Sequence, residues 1–401
     1  MRILFLSYWG LHDGLTTSTV LPHLRLLQER NDVDSILLVT IERNGKAPSF
    51  RLPFAAPKIA YAPLVSEPGR NVLVTKTDDF LRFPKQLAQL AQEHDSDFLL
   101  ARGSPSGSLA YLVWKRIKLP FYVESFEPHA DYMLESGVWG RYDLRYLFQR
   151  YWETKQKQLA LGLMPVAENY RQQLMAEGVP AQRIATVPCS VDAGQFAYDE
   201  TAQQRVRQRL GWAGTNVVGV YVGKFGSIYY DEEAFQLFRT AADFFGTDFR
   251  LIILTPDALH EVQTKLATAG IAAGQVFVTK AAHQEVPDYL SAADFAFATI
   301  KPAPCRLFCS AIKIGEYWAS GLPVLLPEGI GDDSDIIKQE GGGAVFDLDR
   351  PVSVSEALAD VAQQIAQPGY RQRVRHLAEQ HRSIELARQA YAHFFGAPTL
   401  Q

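Results

Sequence analysis

Lys313 and Glu316 stand three residues apart in SAIKIGEYWASGLPVLLP (310–327), the spacing that puts two side chains on one face of a helix. An ammonium and a carboxylate side by side near the positive end of a helix dipole suit a ligand that is both anionic and rich in hydroxyls, such as a nucleotide diphosphate. The same pair also reads as a solvated surface ion pair, and residue type alone leaves both readings open. Lys224 supplies another cation just past the apolar run at 217–223. Two cations can neutralise a diphosphate leaving group without a metal. A second group, Glu124, Glu127 and His129, lies just past FYVE (121–124), where open α/β sheets bind ligands. A histidine in a loop is as often structural as functional. Gly10 and Gly14 follow the first strand and would let backbone N–H groups approach a ligand, although their spacing is not the dinucleotide fingerprint and a tight turn explains them equally.

The elements that must position these residues alternate between strand and helix. Strands are expected at 2–7, 33–40, 97–101, 121–124, 163–167 and 184–188, with helices at about 20–30, 108–118, 141–159 and up to 177. The stretch 41–76 is irregular, carrying five prolines (Pro48, Pro53, Pro57, Pro63, Pro68) with Phe50, Phe54 and Tyr61 between them, and reads as an ordered lobe shaping an acceptor pocket. The second half is more regular. Strands fall at 217–223, 249–254, 276–279, 294–300, 324–326 and 344–346, with helices at 231–245, 256–269, 286–292 and near 333–340. Ser310 is positioned as the N-cap of the helix bearing Lys313, Gly321 ends that helix, and Pro323 prevents its continuation. Ile314 and Trp318, four apart, form its apolar face. Together these elements predict an α/β protein with two Rossmann-like domains: 1–195, 196–380, and a final segment 381–401 whose helix crosses back to the first domain.

Composition sets the outer bounds. At 401 residues the chain exceeds one ordinary core, and 47% apolar with 21% charged residues is typical of a globular protein. A net charge of −4 excludes general nucleic-acid binding. Cys189, Cys305 and Cys309 make neither a disulfide framework nor a zinc site, which fits a reducing, cytoplasmic compartment. No signal peptide or membrane-spanning run is expected. The segment 141–159 (RYDLRYLFQRYWETKQKQL) mixes basic and aromatic residues; it reads as a packing helix with solvated cations or as a peripheral contact with anionic membrane.

Four motifs in order carry a resemblance: VPCSVDAGQF (187–196), YVGKFG (221–226), HQEVPDYLSAADFAF (283–297) and SAIKIGEYWASGLPVLLP (310–327). They are similar to the interdomain, phosphate-loop and K-x-x-E-Y-x-A-x-G-x-P-V motifs of the retaining glycosyltransferase family 4, enzymes of the GT-B type. The resemblance implies two Rossmann-like domains facing each other across a cleft. The second domain would hold a nucleotide-sugar donor, UDP- or GDP-linked, and the first a saccharide, lipid-linked or small-molecule acceptor. Glu316 matches the glutamate that grips the donor ribose, Lys224 a diphosphate contact, and Lys313 a further one. Ser310 and His283 fall at donor-binding positions, with base recognition near 279–283, and Gly10 and Gly14 match the loop approaching the donor. His129, with Glu127, matches the catalytic region near the reacting sugar. The implied chemistry is metal-independent, cofactor-free transfer with retention. Phe308 stands where many members carry a further glutamate, no second lysine follows Lys224 at 228–230, and Cys189-Ser190 replaces an Asn-Gly. These departures leave open altered sugar recognition or a catalytically silent binding protein, and a nucleotide-sugar epimerase is a third reading.

Overall fold

The computed structural model describes residues 1–43, 45–66, 72–350 and 352–396, the side chains of 72–78 excepted. The chain divides into two compact units, Met1–Pro188 together with the segment from Ile384 onward, and Cys189–Ser383. The first break falls at Pro188–Cys189 rather than at 195–196, because Val191 and Phe196 are already part of the second unit's buried core.

The first unit is built on a parallel sheet in the order β3-β2-β1-β5-β6-β7, with β4 also paired to β2. Its strands are β1 (Arg2–Ser7), β2 (Ser35–Glu42), β3 (Ile59–Tyr61), β4 (Leu64–Val65), β5 (Phe98–Arg102), β6 (Phe121–Phe126) and β7 (Gly162–Pro165). After Arg2, β1 is buried throughout, as expected of a central parallel strand covered by helices on both faces. The helix expected at 20–30 begins earlier, as a π turn over Thr16–Val20 that runs into Leu21–Gln28. The lobe at 41–76 contributes the short strands β3 and β4, and a helix over Val72–Glu93 then spans Pro84; Pro68 lies outside the described residues. The 184–188 strand is reduced to an isolated bridge, Leu163 with Ile184. A helix over Glu385–Phe395 closes this unit, with Ala387, Ala390 and Tyr391 in the core formed by β1, β2 and β5.

The second unit carries a parallel sheet in the order β10-β9-β8-β11-β12-β13. The strands are β8 (Val217–Val222), β9 (Phe249–Leu254), β10 (Val276–Thr279), β11 (Phe295–Phe297), β12 (Val324–Pro327) and β13 (Gly343–Phe346). The helix over Ile312–Ala319 packs Ile314, Tyr317 and Trp318 fully inside, and Trp318 Nε1 donates to Gly342 O at 2.9 Å. Gly321, at φ +73°, ends it. Ser310 is not its cap: the N-cap is Ala311 and no side chain fills that role. Ser310 Oγ instead accepts from Cys189 N at 3.0 Å and from Arg382 Nη1, fastening the entry and exit of the unit to the loop before this helix.

Candidate functional site

Strand β8 ends at Val222, and the backbone then turns through Gly223 at φ +148°. A Cβ there would lie 2.7 Å from Lys313 Nζ, so a side chain would push the ammonium off the strand end and would also have to adopt that φ; glycine avoids both. Tyr317 holds this turn by receiving the Val222 N–H at 3.0 Å, and Tyr221 donates its hydroxyl to Lys224 O at 2.6 Å. Lys224 itself is exposed. Lys313 Nζ lies over the ring of Tyr229 at 4.2 Å and that of Tyr221 at 5.7 Å. Burial lowers its pKa, Glu316 opposes that and Lys224 adds to it, leaving it at about 8. Among the described residues no carboxylate stands within ion-pair distance of it; the rings of Tyr229 and Tyr221 face the ammonium, and Glu316 acts on it from farther off.

One turn on, Glu316 is nearly buried and takes His283 Nε2 at 3.2 Å. That hydrogen bond raises the His283 pKa against its burial. His283 also meets Phe196 edge-on at 5.5 Å between ring centres. The structure therefore gathers Lys224, Lys313, Glu316 and His283 at the carboxyl end of β8, while Ser310 is spent on Cys189 and Arg382. Gly223, Tyr221 and Tyr229, which frame the cations, escaped the sequence reading; the glycine stood inside the YVGKFG motif, but nothing in spacing showed what it approaches.

In the first unit the Glu124–Glu127–His129 group comes apart. Glu124 is fully buried, bonded to Arg102 Nη1 at 3.1 Å and to the hydroxyl of Tyr391, with His23 Nδ1 at 3.4 Å. It is a structural carboxylate because β6 turns it into the core. A bulge follows, with Ser125 at φ +50°, and redirects the chain so that Glu127 and His129 emerge half-exposed. Their side chains lie 3.9 Å apart, and Trp139 meets His129 edge-on. Ser104 fixes this loop, its Oγ donating to Glu127 O at 2.5 Å. Gly10 is needed because Glu42, which accepts the Leu11 N–H at 2.8 Å, would lie 2.6 Å from a Cβ there. Gly14 has open space around it.

Behind His129, the buried Glu153 accepts the Ala130 N–H at 3.1 Å and the Gln149 amide at 2.9 Å. Burial outweighs these bonds and raises its pKa to about 7. The native state therefore binds a proton that the unfolded chain lacks between about pH 4.5 and 7, and stability falls as pH rises through that window. A Glu153→Gln variant should melt higher than the parent at pH 8 and alike near pH 5; a lower midpoint at pH 8 would contradict this assignment.

The outer face of the Leu144–Leu159 helix is inverted. It buries Tyr146, Gln149, Glu153 and Gln156 and exposes Leu144, Leu147, Phe148 and Tyr151.

No protein-family model and no curated protein matches the chain. Solved structures do. HepE from Anabaena, in complex with UDP, superposes with a TM-score of 0.71 at 13% identity, covering 99% of this chain and 100% of its own. Sucrose-phosphate synthase from Thermosynechococcus elongatus gives 0.72 at 14% identity, covering 98% and 99%. The chain has the GT-B fold. A UDP-GlcNAc 2-epimerase from Neisseria meningitidis, bound to UDP-GlcNAc, gives 0.61 at 12%, covering 99% and 100%. GT-B architecture is thus shared by glycosyl-transfer and epimerase proteins, and the choice between them rests on side chains.

Proposed function

We propose that this protein transfers a hexose from a nucleotide-sugar donor, UDP- or GDP-linked, to an acceptor hydroxyl with retention and without a metal or cofactor. The observation that carries the proposal is Lys313, an ammonium without a carboxylate partner among the described residues, held 2.7 Å from the Cβ position of Gly223 with Lys224 beside it. A diphosphate is the ligand that two such cations suit. Lys313 and Lys224 would stabilise the charge that develops on the departing diphosphate, and Glu316 would take the ribose hydroxyls. Front-face attack by the acceptor hydroxyl needs positioning more than a protein nucleophile, and Glu127 with His129 lies at the carboxyl end of the first unit's sheet to help supply it. The complex of HepE with UDP supports a uridine donor.

A thermal-shift panel of UDP, GDP, ADP and their sugars tests this. The cognate nucleotide at ~100 times its Kd should add about 2.7 kcal/mol of stability, and no shift with any nucleotide would end both the transfer and the epimerase readings. Glu316→Ala should weaken that nucleotide by roughly 1.5–3 kcal/mol, the range for hydrogen bonds to a charged group; unchanged affinity would remove the ribose assignment. The epimerase reading predicts an isomerised nucleotide sugar in the absence of any acceptor.

The inverted helix supports work at the inner face of an anionic membrane. Tyr142, 90% exposed, extends the apolar row of Leu144, Leu147, Phe148 and Tyr151, and Arg141 and Arg150 flank it. Among the described residues no helix is long and apolar enough to span a membrane. Sedimentation with anionic vesicles should carry the protein down at low salt, and Phe148→Asp should leave it in the supernatant; equal pelleting of both proteins would refute the contact.

A further inference from the structure

The geometry points to a saccharide-binding platform on Trp9, so that the acceptor hydroxyl belongs to a sugar ring stacked on this indole. This deepens the transfer reading and rests on it. In the first unit's sheet, β1, β5 and β6 are consecutive neighbours, and their carboxyl ends deliver Trp9, Gly103–Ser104 and Glu127–His129 to one rim. Trp9 lies flush on the turn after β5, its ring atom Cη2 3.5 Å from the position a Cβ would take on Gly103, which stands at φ +83°. A Cβ at 103 would sit in ordinary van der Waals contact with the indole, and it is the positive φ that favours glycine there. The next residue, Ser104, is the one whose hydroxyl anchors Glu127, so the indole and the Glu127–His129 pair are both built on the same two-residue turn.

The backbone that carries the indole is held in place. Ser7 Oγ takes the backbone N–H of Trp9 at 3.3 Å and donates to its carbonyl O at 3.2 Å, and the Tyr8 ring stands at 88° to the indole with ring centres 6.2 Å apart. Tyr8 in turn is held by Arg43, which lies over its ring at 4.5 Å and donates to its carbonyl at 2.9 Å. Trp9 is half-buried, and its Nε1–H meets no acceptor among the described residues. An aromatic plane with a donor at its edge, on the same rim as a carboxylate and an imidazole, matches a pyranose: axial C–H groups on the ring face, one hydroxyl on the indole N–H, others on Glu127 and His129. An aliphatic or phenolic acceptor would use the plane but leave the three polar groups unmet.

The test uses the full chain saturated with UDP, titrated with methyl glycosides of glucose, galactose, mannose and N-acetylglucosamine, with glycerol as control. Trp9→Phe identifies the Trp9 indole N–H resonance as the one it removes. At least one glycoside, and not glycerol, should move that resonance, and Trp9→Ala should weaken its binding about ten-fold, the loss expected for one stacking contact and one hydrogen bond. The UDP thermal shift should be the same in all three proteins. If no glycoside moves the indole signal, or if Trp9→Ala binds as tightly as the parent, the platform is wrong. A missing UDP shift in the parent would instead strike at the donor site, while the indole titration, repeated without UDP, would still decide the platform.

Discussion

Replacing Glu124 with alanine is expected to cost the protein about 3–5 kcal/mol of stability, the usual price of removing one partner from a buried ion pair. Arg102, 3% exposed, would be left with its charge uncompensated, and the hydroxyl of Tyr391 would lose its acceptor. The same cluster sets an acid limit. Burial pushes the Glu124 carboxyl up, but His23, Arg102 and Tyr391 reverse that and hold it at about 2. Its contribution is complete above the ordinary 4.5 and is lost as pH falls from there towards 2. His23 is shifted down from 6.5 by burial, against the pull of Glu124, so the unfolded chain takes up a proton that the native state refuses as pH drops below 6.5. Stability should therefore begin to fall near pH 6.5 and steepen below 4.5. Urea melts of parent and Glu124→Ala at pH 7.5, 5.5 and 4 are the check. A difference that stays below 1 kcal/mol at pH 7.5 would mean that the cluster is solvated rather than buried.

Lys313→Met should move stability and binding in opposite directions. The ammonium is held in a place that disfavours its charge, with a pKa near 8 against the ordinary 10.5. Native protein thus releases this proton before the unfolded chain does, and its stability rises with pH between about 8 and 10.5. Methionine fills similar volume without the charge, so the variant should be at least as stable as the parent at pH 7 and lack that rise. Nucleotide diphosphate affinity should fall by about 2–3 kcal/mol, roughly 30- to 150-fold, the scale of a charge-assisted contact. In the parent, calorimetry in two buffers at pH 8.5 should detect proton uptake on binding, because the phosphates draw the amine back to its charged form; Lys313→Met should take up none through this group. A destabilised variant with unchanged affinity would make Lys313 a packing residue.

Much of the second unit was legible because its signals are local. Strands at Phe249–Leu254 and Val276–Thr279 and helices at Val286–Ala292 and Asp333–Glu340 coincide with the expected ranges, each bounded by a change in hydrophobic period. The Val72–Glu93 helix was not foreseen, since the prolines before it and Pro84 within it read as interruptions. Lys313 and Glu316 were found because one helix turn relates them, whereas the His23–Arg102–Glu124–Tyr391 cluster joins residues scattered from 23 to 391, and no window contains it. Glu124 was misgrouped for the same reason. It stands three positions before Glu127, but a bulge lies between them and sends one carboxylate inward and the other out. Trp9 lacked a signal of its own because what distinguishes it is Gly103, far along the chain.

Tyr391 also dictates an order of events during synthesis. Residues 1–188 emerge from the ribosome before the second unit, yet their buried Arg102–Glu124–His23 cluster takes one of its partners, the Tyr391 hydroxyl, from a helix made after that unit. Until the Glu385–Phe395 helix is translated, the first unit carries an unfilled slot where Phe395 later stacks on Phe98 and meets Tyr122 edge-on. The second unit, contiguous from Cys189 to Ser383, has no such debt and can complete its core as soon as it is made. The half of the molecule that is translated first is thus the half that finishes folding last.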